Sequence, residues 1–215
     1  MWERRSSGSP VRVLPDGCID IIWIEGAGTQ IVGANTAAFV VQLPAGTRVV
    51  GARLRPGAAP ALLGVAAEAV RDLRVPVQEV WASEGERLAA RLNDHPDPLS
   101  GLRAALLARR AGAQPPDPLV RAAATRLARP DAAVVRIASE LGVSERQLRR
   151  RVTLAVGYGP KRLARVLRLW RALDAARTGE DLARAALDAG YADQAHFAND
   201  CRALAGVPPS VVLAR

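Results

Sequence analysis

The chain contains little cysteine and has no long apolar run. Cys18 and Cys201 are its only cysteines among 215 residues, too few for a disulfide framework or a four-cysteine zinc site. No apolar stretch reaches the length of about 18 residues that a membrane span needs. The opening "MWERRSSGSP" also lacks the apolar segment of a signal peptide. We therefore expect a cytoplasmic protein with reduced thiols and no membrane partner.

Lysine is also scarce, and the positive charge is carried by arginine. Lys161 is the only lysine, yet the net charge is +9 and the isoelectric point is about 11.1. A GC-rich genome would account for an arginine bias, but it would act on the whole chain. From Pro118 onward there are 17 Lys and Arg against 9 Asp and Glu, a net of +8, which leaves +1 for residues 1–117. The uneven distribution predicts an acidic partner for the second half.

Residues 1–111 have the pattern of a small β-rich domain with flanking helices. Clusters such as "PDG", "EGAG" and "LPAG" separate short apolar runs typical of antiparallel strands. The predicted strands cover residues 11–14, 19–24, 29–34, 38–43 and 47–54. Helical patterns follow in "ALLGVAAEAV", in "SEGERLAARL", where Ser83 and Glu86 form a candidate capping box, and over residues 99–110. Residues 112–118 contain the glycine and prolines of a linker.

The second half, residues 119–215, is predicted to be all helical and contains an internal repeat. "RIASELGVS" (136–144) aligns with "RAALDAGYA" (184–192), which matches Gly142 to Gly190. The segments that follow align with one residue added to the turn. Each unit is thus a helix, a glycine turn and a capped helix, which is the pattern of a helix-turn-helix. The fold class predicted for the whole chain is α+β with two domains.

Local signals define the two helices of the first unit. Asp131 is the candidate N-cap of the first helix, and Ser144 with Gln147 forms a candidate capping box for the second. Leu148 and Val152, four residues apart, predict the buried side of that second helix.

The exposed side of the same helix is then fixed by its geometry, and three arginines lie on it. A guanidinium in a major groove can bind guanine O6 and N7, with about 1 to 3 kcal/mol of discrimination per contact. The three arginines on this side are Arg146, Arg149 and Arg150. The alternative interpretation is that they form an ordinary solvated face.

The stretch "AGYADQAHFANDC" places several chemically active side chains close together, which raises the question of a metal site or an activated nucleophile. By alignment with Ser144, Asp193 is the N-cap of the second recognition helix. Phe197 and Cys201 fall on its buried side, so Cys201 is expected to be a small core residue. His196 has no second histidine or available thiolate on its face. We expect neither a metal nor a catalytic site here, but a cap, core positions and surface residues.

Three segments resemble the AraC/XylS family of bacterial transcription regulators. They are "IASELGVSERQLRRRV", "GYGPKRLARVLRLWRAL" and, most specifically, "ALDAGYADQAHFANDCRALAGVPPS", within residues 131–210. The resemblance implies two helix-turn-helix units joined by a long helix, here residues 160–176. Seventeen helical residues span about 25 Å, which suits recognition helices near 144–156 and 193–204 in successive major grooves about 34 Å apart.

The resemblance also implies which residues contact DNA. In the first unit these are the three arginines above. In the second unit the matching positions are Gln194, Ala195, Ala198 and Asn199, with Arg202 as a phosphate contact. Asn199 stands where the family commonly has arginine, and Cys201 where it commonly has phenylalanine. We therefore expect the first unit to supply most base discrimination. On the linker helix, Lys161, Arg162, Arg165 and Arg168 are candidate phosphate contacts or else solvated charges.

In the first half, "LPDGCIDIIW" and "VVGARLRPGAAPALLGV" resemble the small domain that precedes this module in some AraC-type regulators. The resemblance implies a cupin-like β-fold that senses an effector, dimerises, or does both. Trp23 and Arg53 are candidates for a pocket that binds a small anionic or aromatic effector, although core and surface roles are the commoner alternative. Cys18 is a candidate sensor thiol, but nothing nearby predicts a lowered pKa. Residues 83–110 are the candidate dimer interface.

The predicted function is that of a sequence-specific transcriptional regulator, not an enzyme, without cofactor or metal. Its expected partners are double-stranded DNA, a small-molecule effector, a second copy of the chain and, for an activator, RNA polymerase. One alternative is a DNA-repair or alkyl-transfer enzyme with the same helical module, which would need a zinc site or an activated nucleophile. The other is a nonspecific nucleic-acid-binding protein, which would bind cognate and random DNA alike.

Overall fold

The N-terminal half is built on two antiparallel sheets. The computed structural model describes residues 1–214, and Arg215, the last residue of the predicted C-terminal domain, lies outside the described residues. The strands are β1 (Trp2–Arg5), β2 (Val11–Val13), β3 (Ile19–Ile24), β4 (Gly28–Val32), β5 (Phe39–Val41), β6 (Arg48–Leu54) and β7 (Arg74–Pro76). Each of the five predicted strands is present; β1 and β7 were not predicted.

The larger sheet has the order β1-β6-β3-β4-β7, and β2 pairs with β5 in a separate two-stranded sheet. In the central strand β3 the residues Ile19, Ile21 and Trp23 are buried on one face. Asp20 lies on the opposite face, where it is directly across from Arg53 of β6. This alternation follows from the two-residue period of a strand.

The helices of this half are α1 (Ala59–Leu63), a 3-10 turn (Ala67–Val70), α2 (Val77–Asp94) and α3 (Pro98–Ala111). The predicted helix start at Ser83 is wrong, because α2 begins six residues earlier, directly after β7. Ala82 interrupts α2 with a φ of 46° and a ψ of −130°, so the pattern that opens at Ser83 marks only the second part of the helix. Among residues 1–214 the side chains of Ser83 and Glu86 form no capping hydrogen bond.

The second half is helical, as predicted. Its helices are α4 (Pro118–Leu127), α5 (Val134–Glu140), α6 (Glu145–Val156), α7 (Pro160–Arg177), α8 (Leu182–Asp188), α9 (Gln194–Ala205) and α10 (Pro209–Leu213). Asp131 does not cap α5, whose N-cap is Ala133. Its carboxylate instead accepts a hydrogen bond from Arg136 Nη2 at 2.5 Å, because the helix starts two residues later than an N-cap at Asp131 requires. The expected α+β architecture is confirmed.

The two halves pack directly on each other. Buried apolar residues of the sheet domain and of the helical domain form one continuous cluster. Trp170 Nε1 on α7 donates a hydrogen bond to the carbonyl of Pro15 at 2.8 Å. Arg162 Nη2, also on α7, donates to the carbonyl of Thr36 at 2.6 Å. No helix of the described chain is long and apolar enough to span a bilayer.

Candidate nucleic-acid interface

The first recognition helix, α6, starts at the predicted capping box. Ser144 Oγ accepts a hydrogen bond from the Gln147 amide at 3.2 Å, and Gln147 Oε1 accepts one from the Ser144 amide at 2.9 Å. This reciprocal pair satisfies two amides that have no partner inside the helix. The preceding turn contains Gly142, whose φ of +66° is left-handed and therefore favours glycine. The local signals fix where α6 begins.

Burial on α6 separates its two faces as the spacing predicted. Leu148 and Val152 are fully buried. The three arginines of the opposite face are exposed, and within residues 1–214 none of them forms an ion pair. We call this set, Arg146, Arg149 and Arg150, the arginine face. Three guanidinium groups on one exposed helical side can contact base edges or phosphates.

The second recognition helix, α9, starts at Asp193, whose carboxylate accepts a hydrogen bond from the His196 amide at 2.6 Å. Phe197 and Cys201 are fully buried, and burial raises the pKa of the Cys201 thiol to about 11. The ring of His196 packs edge-on against Tyr191, with ring centroids 5.1 Å apart. In the part of the chain that the structure describes, no group of three or more metal-ligating residues is assembled. The predicted cap and core roles are confirmed.

The exposed side of α9 carries the residues that the alignment matched to DNA contacts. Gln194, Ala195, Asn199 and Arg202 are exposed, and Ala198 is half-buried. Arg202 Nη1 donates a hydrogen bond to Asn199 Oδ1 at 3.2 Å. The side chains on this side of α9 are shorter than those of the arginine face, and they carry less positive charge.

Sequence analysis assigned no role to Asp200, which joins α9 to α7. Its side chain is only 5 % exposed and accepts hydrogen bonds from Arg165 Nε, from Arg168 Nη2 at 3.4 Å and from Tyr191 Oη at 2.9 Å. Because Asp200 lies three residues after Phe197, helical spacing alone places it on the buried side. A carboxylate at a buried position requires a cationic partner, and that was the signal in the sequence.

Three arginines of the linker helix make hydrogen bonds within the protein. Arg162 binds the carbonyl of Thr36, and Arg165 and Arg168 bind Asp200. The prediction missed these partners because it considered α7 without the elements packed on it. Lys161 lines a cleft of about 350 Å³ together with Glu145.

The N-terminal half contains an apolar cavity of about 580 Å³ between its two sheets. Its walls come from both sheets, and its polar lining groups are Arg4, Asp20, Gln30, Arg53 and Arg74. Arg53 lines it as predicted, where its guanidinium binds Asp20 at 3.1 and 2.9 Å. The pairing of Arg53 with Trp23 is wrong, because Trp23 lies on the other face of the sheet. Its Nε1 there donates to Asn93 Oδ1 at 2.8 Å.

Cys18 lacks the environment of a sensor thiol. Burial raises its pKa to about 12, and the neighbouring Asp16 carboxylate adds to the shift. Thiolates are the reactive form of cysteine, so the thiol remains protonated near neutral pH. This result goes against the sensor interpretation of Cys18.

Two protein-family models match the chain. The model described as a helix-turn-helix domain covers residues 137–215, and a domain of unknown function (DUF6597) covers residues 1–76. Among curated proteins, none matches the sequence significantly.

Solved structures with related folds also match. ToxT from Vibrio cholerae O395 is 10% identical, with a TM-score of 0.50, over 99% of this chain and 95% of that one. A second ToxT structure from Vibrio cholerae, also 10% identical, gives a TM-score of 0.46 over 96% and 97% of the two chains. The C-terminal domain of AraT, a response regulator from Geobacillus stearothermophilus, is 22% identical with a TM-score of 0.42, over 46% of this chain and 85% of that chain. At such identities only the fold is compared.

The duplicated helical units and the sheet domain that precedes them agree with the two family models and with the fold of ToxT from Vibrio cholerae O395. Residues 137–215 thus form a helix-turn-helix domain, which follows an N-terminal domain of unknown function over residues 1–76.

Proposed function

We propose that the protein is a sequence-specific DNA-binding regulator of transcription that acts in the cytoplasm. In this proposal residues 119–215 bind DNA, residues 1–111 form the regulatory domain, and residues 112–118 link them. The observation that carries the proposal is the arginine face, which is exposed on a capped second helix and has no ion-pair partner within residues 1–214. The side of α9 with Gln194 and Asn199 provides a second contact surface, and Arg202 a phosphate contact.

The proposal is tested by selecting bound duplexes from a random library with the full-length protein. A regulator should enrich a defined site and prefer it over random DNA by about 10³-fold or more. If about six phosphates are neutralised, the logarithm of the affinity should fall with the logarithm of the salt concentration at a slope near −5. Equal affinity for selected and random duplexes would instead identify a nonspecific nucleic-acid-binding protein.

We propose in addition that the cavity between the two sheets binds the effector. A volume of about 580 Å³ lies within the range of small-molecule pockets, which are mostly apolar with a few polar groups. Arg4, Arg53 and Arg74 supply three cationic groups. Asp20 and Asp16 both pair with Arg53, so one net positive charge remains and the chemistry favours an apolar molecule with one acidic group. The indole Nε1 of Trp2, which also lines the cavity, is buried without a hydrogen-bond partner among the described residues.

Ligand binding should be visible as thermal stabilisation. A carboxylate at 100 times its dissociation constant is expected to raise the unfolding free energy by about 2.7 kcal/mol, and its alcohol analogue should do so less. Arg74→Ala should weaken the carboxylate response selectively, whereas Arg87→Ala, an exposed position on α2, should not. An identical response to acid and alcohol in both variants would contradict an anion-binding cavity.

Two partners complete the proposal. Homodimerisation would use the helices within residues 83–110, where Leu107 of α3 is 55% exposed. An activator would also contact RNA polymerase.

A further inference from the structure

The C-terminal ends of both recognition helices are held by arginines of the N-terminal half. Arg71 Nη1 donates a hydrogen bond to the carbonyl of Gly157, the C-cap of α6, at 3.2 Å. Arg12 Nη1 donates to the carbonyl of Ala205, the last residue of α9, at 3.0 Å. The final carbonyls of a helix lack partners within it and form its negative end. An arginine is therefore well suited to bind each of these ends.

Each arginine contact is accompanied by backbone packing at the same helix end. The Ala38 amide donates to the carbonyl of Leu204 on α9 at 2.8 Å. At the end of α6, a Cβ added to Gly157 would lie 3.3 Å from the Cβ of Ala34 and 3.3 Å from the carbonyl oxygen of Ala67. The N-terminal half thus contacts the C-terminal end of each recognition helix.

The surfaces proposed to contact DNA remain open in this arrangement. The arginine face lies in the first half of α6, and Gln194 and Asn199 lie in the first half of α9; these residues are exposed. The hydrogen bonds from the N-terminal half to the two helices are made at residues 157, 204 and 205. The N-terminal half therefore holds the recognition helices without covering the faces that would enter the grooves.

We infer that the N-terminal domain fixes the spacing and relative orientation of the two recognition helices, with Arg12 and Arg71 as positioning residues. The inference rests on the proposed function. The linker helix α7 is one connection between the two units, and the N-terminal domain is a second. One added base pair moves a half-site by about 3.4 Å and rotates it by about 35°. Recognition helices that are connected both by α7 and by the N-terminal domain should bind half-sites at one separation only. Recognition helices connected by α7 alone should bind half-sites at several separations.

The test measures the spacing preference directly. The wild-type protein first selects a site from a random library. One or two base pairs are then inserted or deleted between the two half-sites of that DNA. Dissociation constants are then measured for the wild type and for Arg12→Ala/Arg71→Ala. We expect the penalty for a one-base-pair insertion to be about tenfold smaller in the double variant, equivalent to about 1.4 kcal/mol.

Arg5→Ala is the matched control. Arg5 Nη1 also donates to a backbone carbonyl, that of Gly46 at 3.1 Å, but within the sheet domain. This variant should keep the wild-type spacing preference. Arg12→Lys/Arg71→Lys retains the charges and should recover part of the preference, a result that a general loss of stability would not produce.

An unchanged spacing profile in a folded double variant would overturn the inference. If the double variant does not fold, the two single variants are measured by the same criterion. Unfolding of both single variants would also overturn it, since the two arginines would then act through overall stability. Failure of the wild type to select any site would contradict the proposed function instead.

Discussion

Replacing all three residues of the arginine face by alanine is expected to lower the affinity for the selected DNA site by about 10⁴-fold. Each guanidinium that binds a base contributes about 1 to 3 kcal/mol of discrimination. The three together account for most of the affinity difference between a specific site and random DNA. Leu148 and Val152 on the other side of α6 are untouched, so the fold should be retained. Binding is measured by fluorescence anisotropy at fixed salt, with circular dichroism to verify folding.

The control removes positive charge elsewhere. Arg5 and Arg55 are exposed in the N-terminal half, outside residues 83–110 and outside the cavity, and their double alanine variant should retain nearly all site preference. An equal loss per removed charge in the two variants would show that net charge, and not the arginine face, determines binding.

Single substitutions measure how much each helix-turn-helix unit contributes to base discrimination. Arg149→Ala should relax base preference at its contact more than Asn199→Ala does, because an asparagine side chain is shorter and Asn199 already accepts a hydrogen bond from Arg202. The measurement is the affinity for a panel of singly mutated sites. A larger loss of discrimination from Asn199→Ala would reverse the assignment of the two units.

Asp200→Ala is expected to lower the free energy of unfolding by about 3 kcal/mol. Removing one member of a buried ion pair costs about 3 to 5 kcal/mol, because its partners lose their compensation. The lower end applies here, since the side chains of Arg165 and Arg168 are 39% and 26% exposed and water can reach them. Tyr191 also loses its hydrogen-bond acceptor. Urea denaturation followed by circular dichroism measures the loss.

Asp188→Ala is the control for this prediction. Asp188 pairs with Arg184 on the surface of α8, with both side chains at least half exposed, so its removal should change stability little. Asp200→Asn keeps the size of the side chain and one acceptor oxygen, but it replaces the other acceptor with an NH2 donor and removes the charge, so it should give an intermediate loss. Equal stability of the Asp188 and Asp200 alanine variants would contradict a structural role for the buried carboxylate.

The recognition helices were predictable because their signals are local. Ser144 with Gln147 and the i, i+4 pair Leu148 and Val152 lie within one helix, so the start, buried side and exposed side of α6 follow from sequence spacing. The repeat then transferred the same reasoning to Asp193 and α9. The start of α2 was not predictable in this way, since the interruption at Ala82 and the short strand β7 depend on packing against the sheet.

The partners of the long side chains were also beyond local reasoning. Asp200 and Arg165 are 35 positions apart, and Arg12 and Ala205 are 193 positions apart, so no periodicity within one element relates them. The faces of β3 show the same limit. Alternation separates Asp20 from Trp23, but only the register with β6 places Arg53 beside Asp20 and away from Trp23.

The sequence by itself determined the fold class, the duplicated helix-turn-helix and the exposed arginine face, because caps, turn glycines and apolar periods act over a few residues. Tertiary structure alone decided which arginines are free, where the cavity lies and how the sheet domain holds the ends of α6 and α9. These features depend on contacts between groups far apart in the chain, whose positions are set only when the two halves pack together.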